Sequence, residues 1–207
     1  MTNTESKNHW ENIYKTKNLE DVSWYQEKPQ TSLDFITYFN VTPNHKIIDI
    51  GGGDSFLVDN LLAMGYSDIT VLDISAAALE KAKVRLGVAA KRVTWIVADV
   101  QTFKSQEKYD FWHDRAAFHF LTEKTQVTQY VDTVASHLSS SGVLVLGTFS
   151  KTGPLKCSGL PIQQYSKNTL ASKFKKFFEK IKCIQVDHPT PFSTVQNFVF
   201  CSFKLLT

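Results

Sequence analysis

The chain has 207 residues, of which 43% are hydrophobic and 13% aromatic, enough to build one domain with a sizeable core. Its formal net charge of +3 comes from 23 basic and 20 acidic residues spread along the chain, a balance too small and too dispersed to indicate a nucleic-acid partner. We therefore predict a single domain over residues 1–207, with no nucleic acid among its partners.

Cysteine usage and the N-terminal sequence bear on the compartment. Cys157, Cys183 and Cys201 are odd in number and contain no Cys-x-x-Cys pair, which suggests neither a disulfide framework nor a zinc site. The first residues contain no apolar signal region, and no window approaches the roughly 20 apolar residues of a membrane span. The expectation is a cytoplasmic protein in a reducing compartment, without a membrane partner.

Four apolar runs rich in β-branched residues, at 46–50, 68–74, 92–98 and 143–149, read as buried strands. A fifth strand, less apolar, is predicted at 109–114. Helical patterns alternate with these strands. One spans 56–64 and ends at Gly65, another starts after the capping Ser75 and ends at Gly87, and a third runs from about Thr125 to Leu138. Strands that alternate with helices predict a doubly wound α/β fold with a mostly parallel sheet.

The last third of the chain has a different pattern. The segment "SKNTLASKFKKFFEKIK" predicts an amphipathic helix capped by Ser166, with its lysines on a solvated face. Two strands, "IKCIQVDH" and "QNFVFCSFKLL", follow and are joined by a turn around "PTPFSTV". The sheet is therefore expected to end in an antiparallel hairpin.

Three consecutive glycines, Gly51, Gly52 and Gly53, lie between the first strand and the following helix. Such a turn lets a ligand approach the backbone closely and meets free N–H groups at the helix start. In doubly wound folds the first β-α turn is a usual ligand cradle, so we predict a nucleotide-type ligand here. The dinucleotide fingerprint would place a third glycine where Phe56 stands, and Asp54 at the helix start would repel a pyrophosphate.

Carboxylates stand at or near the ends of the first three strands, at Asp49, Asp73 and Asp99. A carboxylate after the second strand can accept hydrogen bonds from a ribose diol, and one after the third can accept from an adenine amino group. Asp49 is suited to brace the glycine turn or to meet a cationic amine. Each acid taken alone is more often a strand-end cap than a ligand contact, but three acids at three successive strand ends are hard to assign to chance. Because Asp54 stands at the helix start, a ligand without phosphates suits the turn better.

The motifs "DIGGGDS", "LDIS", "ADV" and "YDFWHDR" resemble those of class I S-adenosylmethionine-dependent methyltransferases over roughly residues 8–205. Ser55 departs from the commoner pattern, since a third spaced glycine often stands there. The segments "SWYQEKPQTSL", "WHDRAAFHFL" and "CSGLPIQQYS" are similar to a small, mostly uncharacterised group within that superfamily, distantly similar to thiopurine-type and small protein-lysine methyltransferases. The resemblance implies a Rossmann-like fold with a seven-stranded, mostly parallel sheet and a helical N-terminal segment at about 1–40.

The resemblance also implies cofactor contacts, residue by residue. Gly51 and Gly53 would pack against the methionine part, with Asp49 bracing the turn or the ammonium group. Asp73 would hold the ribose, and Asp99 with Val100 would flank the adenine. Gly52 and Ile74 are also expected to contact the cofactor. Trp24 and Tyr25 are candidates to close over the sulfonium, because aromatic faces attract cations; plain packing is the alternative for both. Trp10 and Tyr14, four residues apart on one helix, are expected to be packing residues.

His113, Asp114 and Arg115 end the fourth strand, where the family places its acceptor-side residues. His113 is a candidate for cofactor contact or general base, since its ordinary pKa lies near neutral pH. Asp114 and Arg115 are catalytic candidates, with a structural ion pair as the alternative. The long loop with Cys157 should face the same cavity, with the thiol as a small apolar side chain, and His119 should be a packed histidine.

We therefore expect S-adenosylmethionine-dependent methyl transfer to a small-molecule or protein side-chain acceptor by in-line displacement, with no metal. Two alternatives stay open at this point. One is a nicotinamide-dependent oxidoreductase on the same fold, which Phe56 and Asp54 disfavour. The other is a non-catalytic protein that binds an adenosyl ligand, which the three retained strand-end acids disfavour.

Overall fold

The computed structural model describes residues 3–206 and contains one seven-stranded sheet. Its strands are β1 (Ile47–Ile50), β2 (Ile69–Asp73), β3 (Val93–Val97), β4 (Tyr109–Arg115), β5 (Leu138–Phe149), β6 (Phe178–Pro189) and β7 (Val195–Leu205). Their order across the sheet is β3-β2-β1-β4-β5-β7-β6. β1 to β5 are parallel, whereas β7 runs antiparallel to both β5 and β6. The predicted doubly wound sheet with a C-terminal hairpin is confirmed.

Six α-helices accompany the sheet: α1 (Asn3–Thr16), α2 (Gln30–Tyr38), α3 (Leu57–Ala63), α4 (Ala76–Leu86), α5 (Lys124–His137) and α6 (Lys167–Phe174). The capping signals act as predicted. The Ser75 side chain accepts from the Ala78 N–H at the start of α4, and Gly87 follows that helix with a φ of 56°. α1 and α2 lie in the predicted N-terminal segment. Apolar clusters cover both faces of the sheet, and we propose that the chain is a single domain built on this core.

The prediction that 92–98 forms a buried strand is wrong in part. β3 lies at one edge of the sheet, and Val93 is its one buried residue, whereas Val97 is 48% exposed. The run is apolar because side chains on both faces of the strand pack on the core, while its outer edge has no neighbouring strand.

The predicted helix after Ser166 is shorter than expected. α6 ends at Phe174, and β6 begins at Phe178, which pairs with Leu205. Pairing along β7 outweighs the helix propensity of the Glu and Lys residues in 179–182, because a long antiparallel ladder provides both hydrogen bonds and side-chain burial. The lysines at 180 and 182 therefore lie on a strand and not on a helix face.

The expectation that the cysteines form no disulfide is also wrong. Cys183 of β6 and Cys201 of β7 stand directly opposite each other and are joined by a disulfide, with Cα atoms 4.2 Å apart. An odd number of cysteines does not exclude one bridge, and only the strand register shows which two residues face each other. Cys157 is the free cysteine and is buried. In the described part of the chain, no helix is long and apolar enough to cross a bilayer.

Candidate functional site

A cavity of about 220 Å³ opens at the carboxyl ends of the parallel strands, where the strand order reverses between β1 and β4. Residues from α1, from α2 and from the segment between these two helices cover it. The fold therefore brings the N-terminal segment over the glycine turn. Residues far apart in the sequence share one enclosed space.

Most of the predicted site residues line this cavity. They are Trp24, Tyr25, Asp49, Gly51, Gly52, Asp73, Ile74, Asp99, Val100, His113 and Arg115. Two predicted residues, Gly53 and Asp114, are not in its wall. Gly53 lies just behind the wall, where its backbone N–H donates to the Asp73 carboxylate.

The glycine turn has the tight geometry that its sequence predicts. Gly51 and Gly53 have φ values of 63° and 46°, which residues with a Cβ atom rarely adopt. A Cβ at Gly51 would lie 2.6 Å from the Ala117 Cβ, and one at Gly53 would lie 2.6 Å from the Tyr14 hydroxyl. The backbone therefore passes as close to its neighbours as glycine permits.

Asp49 and His113 form a buried pair beneath the cavity. The His113 Nδ1 donates to the Asp49 Oδ1 across 2.7 Å, since a carboxylate only accepts. The other ring nitrogen, Nε2, lies 2.8 Å from the hydroxyl of Ser32 on α2. His113 is 3% exposed and Asp49 4% exposed. This chain of three side chains joins β1 and β4 to the N-terminal segment.

Asp73 ends β2 and is buried in the cavity wall. Its Oδ1 accepts from the Ser75 N–H at 2.8 Å. Burial raises the pKa of this carboxyl to about 7, with a further contribution from Asp49, although the N–H groups of Ser75 and Gly53 oppose the shift. The acid is thus close to half ionised at neutral pH in the free protein.

Asp99 follows β3 by two residues and caps the next turn. Its Oδ1 accepts from the backbone N–H of Gln101 at 2.8 Å, and the Gln101 side chain also donates to it. Asp99 and the neighbouring Val100 both line the cavity. The Asp99 carboxylate therefore caps this turn in the ligand-free protein.

Asp54 does not carry the free negative charge assumed at the start of the helix. Its carboxylate forms an ion pair with Arg85, which also donates to Asp59 at 2.8 Å. One guanidinium faces two carboxylates, so the three side chains keep one net negative charge near the start of the helix. The expected repulsion of a pyrophosphate is therefore reduced but not removed, and Phe56 in place of the fingerprint glycine also counts against a dinucleotide.

Asp114 faces away from the cavity into the other apolar layer. It is fully buried and accepts hydrogen bonds from the N–H groups of Ala117 and Phe118 and from the Tyr130 hydroxyl. Burial raises its pKa to about 6 against the effect of these bonds. Among the described residues it forms no ion pair with Arg115, so the structural alternative of an Asp114–Arg115 pair is not observed.

Arg115 lies on the cavity side of β4. Its Nη1 donates to the backbone oxygen of Trp24 at 3.1 Å, and the guanidinium lies over the Phe198 ring, 5.0 Å from its centroid. Burial lowers the pKa of Arg115 to about 10, which leaves it charged at neutral pH. The contact with Trp24 ties the N-terminal segment to β4.

Aromatic residues form the roof of the cavity. Trp10 of α1 makes edge contacts with Trp24 and Phe120, and Tyr14 contacts both tryptophans. Burial, with Asp73 next, holds the pKa of the Tyr14 hydroxyl well above its usual value, so it stays protonated and able to donate. Trp10 and Tyr14 pack as predicted, and they also line the cavity, which their spacing could not indicate.

Two further cavity residues, Ser32 and Cys157, are not among the predicted catalytic or cofactor-binding residues. Ser32 has no sequence signal, because its partner His113 is 81 residues away. Cys157 lies in the loop after β5, as expected, and burial raises the pKa of its thiol to about 12. It is therefore a neutral, small side chain at neutral pH and not a thiolate nucleophile.

Comparison with known proteins supports the family that the motifs suggest. Residues 47–142 match the model of a methyltransferase domain. Malonyl-[acyl-carrier protein] O-methyltransferase of Anoxybacillus flavithermus is 34% identical over 111 residues, which cover 53% of this chain and 40% of that protein. The mouse eEF1A lysine and N-terminal methyltransferase is 26% identical over 95 residues, or 46% of this chain and 13% of that protein. The chain thus matches well under half the length of these relatives.

The fold has similar solved structures. The N-methyltransferase NodS of Bradyrhizobium japonicum, solved with S-adenosyl-L-homocysteine, aligns with a TM-score of 0.71 and 15% identity over 100% of both chains. With the strand order, this likeness shows that the chain shares the fold of that protein. The domain match over residues 47–142 agrees with the resemblance to class I S-adenosylmethionine-dependent methyltransferases that the sequence motifs carry. The comparisons give no support to the oxidoreductase alternative.

Proposed function

We propose that this protein binds S-adenosylmethionine in the cavity and transfers its methyl group to a nucleophile of a small molecule or a protein side chain. The observation that carries this proposal is the convergence of Asp49, Asp73 and Asp99 on one cavity, over a glycine turn that a Cβ would obstruct. The glycine turn leaves room for a ligand beside the three carboxylates, which are hydrogen-bond acceptors. This arrangement suits a ligand that carries a ribose and an adenine amino group. Bound S-adenosylmethionine supplies an electrophilic methyl group on a sulfonium centre.

The residues have distinct proposed roles along the cavity. Asp73, with Ile74 beside it, accepts from the ribose hydroxyls, and Asp99 with Val100 flanks the adenine. Gly51 and Gly52 leave room for the methionine part, while Asp49 braces the turn from below; Gly53 contributes through its N–H to Asp73. These assignments follow the family resemblance and the position of each residue in the cavity wall.

The aromatic roof serves positioning and the exclusion of water. Trp24 and Tyr25 line the cavity on the N-terminal segment, and their ring faces attract a cationic centre within about 6 Å by about 0.5 to 2 kcal/mol. Methyl transfer needs the donor and the acceptor atom aligned at about 3 to 3.5 Å, so a closed and rigid roof assists it. No metal is part of the proposal.

His113 is better suited to positioning than to proton removal. Both ring nitrogens are already engaged, one by Asp49 and the other by Ser32. A general base needs a free acceptor nitrogen that faces the reacting proton. We therefore propose that His113 holds the turn and α2 in place, and that Asp114 supports the loop after β4 without contact with the reactants.

The acceptor is proposed at the level of chemical class. The names of the similar proteins describe methylation at oxygen, at lysine and at an N-terminus. The cytoplasmic location also stays a prediction. The Cys183–Cys201 disulfide weighs against it, since such bonds are rare in cytosolic proteins.

The pH dependence of cofactor binding tests the role of Asp73. The ionised carboxylate accepts from the ribose hydroxyls, whereas the protonated acid must give up one acceptor site. Because the pKa of Asp73 in the free protein is raised to about 7, affinity for S-adenosylmethionine should increase about ten-fold from pH 6 to pH 8. Affinity should level off above that range, and binding should release a proton. The measurement is calorimetric titration across this range.

Asp73→Asn is the control for that titration. The amide does not ionise, so the ratio of wild-type to variant affinity cancels any ionisation of the ligand itself. We expect this ratio to increase with pH, with the variant weaker at pH 8; Asp73→Ala should bind less tightly still. A ratio that is constant across the range, or a folded Asp73→Ala variant with wild-type affinity, would remove Asp73 from the cofactor site.

A further inference from the structure

Arg115 is a cation in the cavity wall without an anionic partner among residues 3–206. One of its terminal nitrogens, Nη1, donates to the neutral backbone oxygen of Trp24. The other, Nη2, is shielded from solvent and has no hydrogen-bond acceptor within the described residues. Its other close contact is the face of Phe198. The side chain therefore has a free donor beside the cavity that it lines.

Three titratable side chains close to Arg115 are neutral at neutral pH. His119 and His188 are close enough for the Arg115 charge to help lower their pKa values to about 3 and 4, after the larger effect of burial. The Cys157 thiol is protonated at neutral pH. Asp49 attracts Arg115 through space, but its Oδ1 is already bound to His113. Among residues 3–206, no carboxylate forms an ion pair with Arg115.

His119 adds a second unpaired donor. Its Nδ1 accepts from the Phe149 N–H at 3.4 Å, which places the ring proton on Nε2. That Nε2–H is buried and has no acceptor in the described residues. His119 does not line the cavity, whereas Arg115 does. Because an unpaired buried charge is costly in a folded protein, the Arg115 donor is the one that indicates a ligand with acceptors and negative charge.

We propose that Arg115 binds a carboxylate group carried by a ligand in the cavity. A guanidinium pairs with a carboxylate through two parallel hydrogen bonds, which Nη2 and the neighbouring N–H groups can supply. Arg115 ends β4, where it is paired with Gly147 of β5. Since β4 lies two strands away from β2, which carries Asp73, the carboxylate belongs to the end of the cavity away from the ribose. This inference rests on the proposed function, and the carboxylate is either that of the methyl acceptor or that of the methionine part of the cofactor.

Paired ligands with and without a carboxylate separate these two sources. The first pair is S-adenosylmethionine and decarboxylated S-adenosylmethionine, titrated into the ligand-free protein. The second pair is benzoate and benzamide, titrated into protein saturated with S-adenosylhomocysteine. Both pairs are measured by calorimetry on wild type, Arg115→Lys and Arg115→Met. Arg92→Met is the matched control, since Arg92 is exposed and precedes β3 at the opposite end of the sheet.

We expect Arg115→Met to weaken the binding of one carboxylate ligand by ten-fold or more and to leave the affinity for its neutral counterpart unchanged. Weaker binding of benzoate would assign the carboxylate to the acceptor. Weaker binding of S-adenosylmethionine would assign it to the cofactor. Arg115→Lys should keep part of the affinity, because it keeps the charge without the planar pair of donors, and Arg92→Met should bind all ligands as wild type does.

Three results would overturn the proposal: carboxylate affinities that do not depend on Arg115, equal losses for the neutral ligands, or absence of benzoate binding with unchanged S-adenosylmethionine affinity. Thermal unfolding shows whether each variant is folded, and Arg115→Lys supplies the comparison where Arg115→Met is not. Failure of the wild-type protein to bind S-adenosylmethionine would contradict the proposed function instead.

Discussion

Asp49→Ala is expected to lower the free energy of unfolding by about 1 to 3 kcal/mol, the usual cost of leaving a buried hydrogen-bond donor without its acceptor. The change leaves the His113 Nδ1–H without its acceptor in the cavity wall, where both side chains are almost fully buried. It also removes the carboxylate that lies directly beneath Gly52. We therefore expect cofactor affinity to decrease together with stability. Urea unfolding followed by circular dichroism gives the first quantity, and calorimetric titration gives the second.

The control for this change is Asp68→Ala. Asp68 is half exposed and lies 3.8 Å from the Lys46 ammonium, so its loss should cost less than about 1 kcal/mol. A double-mutant cycle with Asp49→Asn and His113→Gln should give a coupling energy of about 1 to 3 kcal/mol. Additive effects would mean that the pair does not stabilise the site. For His113→Gln, retained folding and cofactor affinity with lost turnover would favour an acceptor-side role over positioning.

Gly53→Ala is expected to weaken S-adenosylmethionine binding by about 100-fold, which corresponds to roughly 2.8 kcal/mol. The new Cβ would lie 2.6 Å from the Tyr14 hydroxyl and 3.0 Å from the Asp73 Oδ2, so both side chains that face the ligand must move. The positive φ adds strain of about 1 to 3 kcal/mol to the folded protein. Both losses are measurable on the same sample by titration and thermal unfolding.

Gly87→Ala separates these two effects. Gly87 has a φ of 56°, close to that of Gly53, but a Cβ there would have no neighbour within 4 Å. The control should therefore lose stability through strain alone and keep wild-type cofactor affinity. If the two variants bind the cofactor equally well, the glycine turn is a structural turn and not a ligand cradle.

The sequence carried enough information to place the strand-end acids together. Asp49, Asp73 and Asp99 follow apolar runs of strand length, and the carboxyl ends of parallel strands meet at one edge of a sheet. The alternation of strands and helices in the sequence is enough to imply a parallel sheet. The helix caps at Ser75 and Gly87 depend on local hydrogen bonds and backbone angles, and for that reason they were also predictable.

Other features depend on contacts between distant segments. The partner of His113 is Ser32 on α2, and the partner of Cys183 is set by the register of β6 against β7. Arg85, 31 residues later in the chain, donates a hydrogen bond to Asp54. The early start of β6 has the same origin, because pairing with β7 decides the state of a segment whose residues favour a helix. No local pattern reports such pairings, so a single sequence does not determine them.

Parallel titration of the purified protein with S-adenosylmethionine, S-adenosylhomocysteine and NAD tests the central claim most directly. The account predicts micromolar binding of both adenosyl ligands and no binding of NAD. That result would justify a search for the acceptor among thiols, amines, carboxylates and protein side chains. Binding of NAD without either adenosyl ligand would contradict the account and return the three glycines to a dinucleotide site.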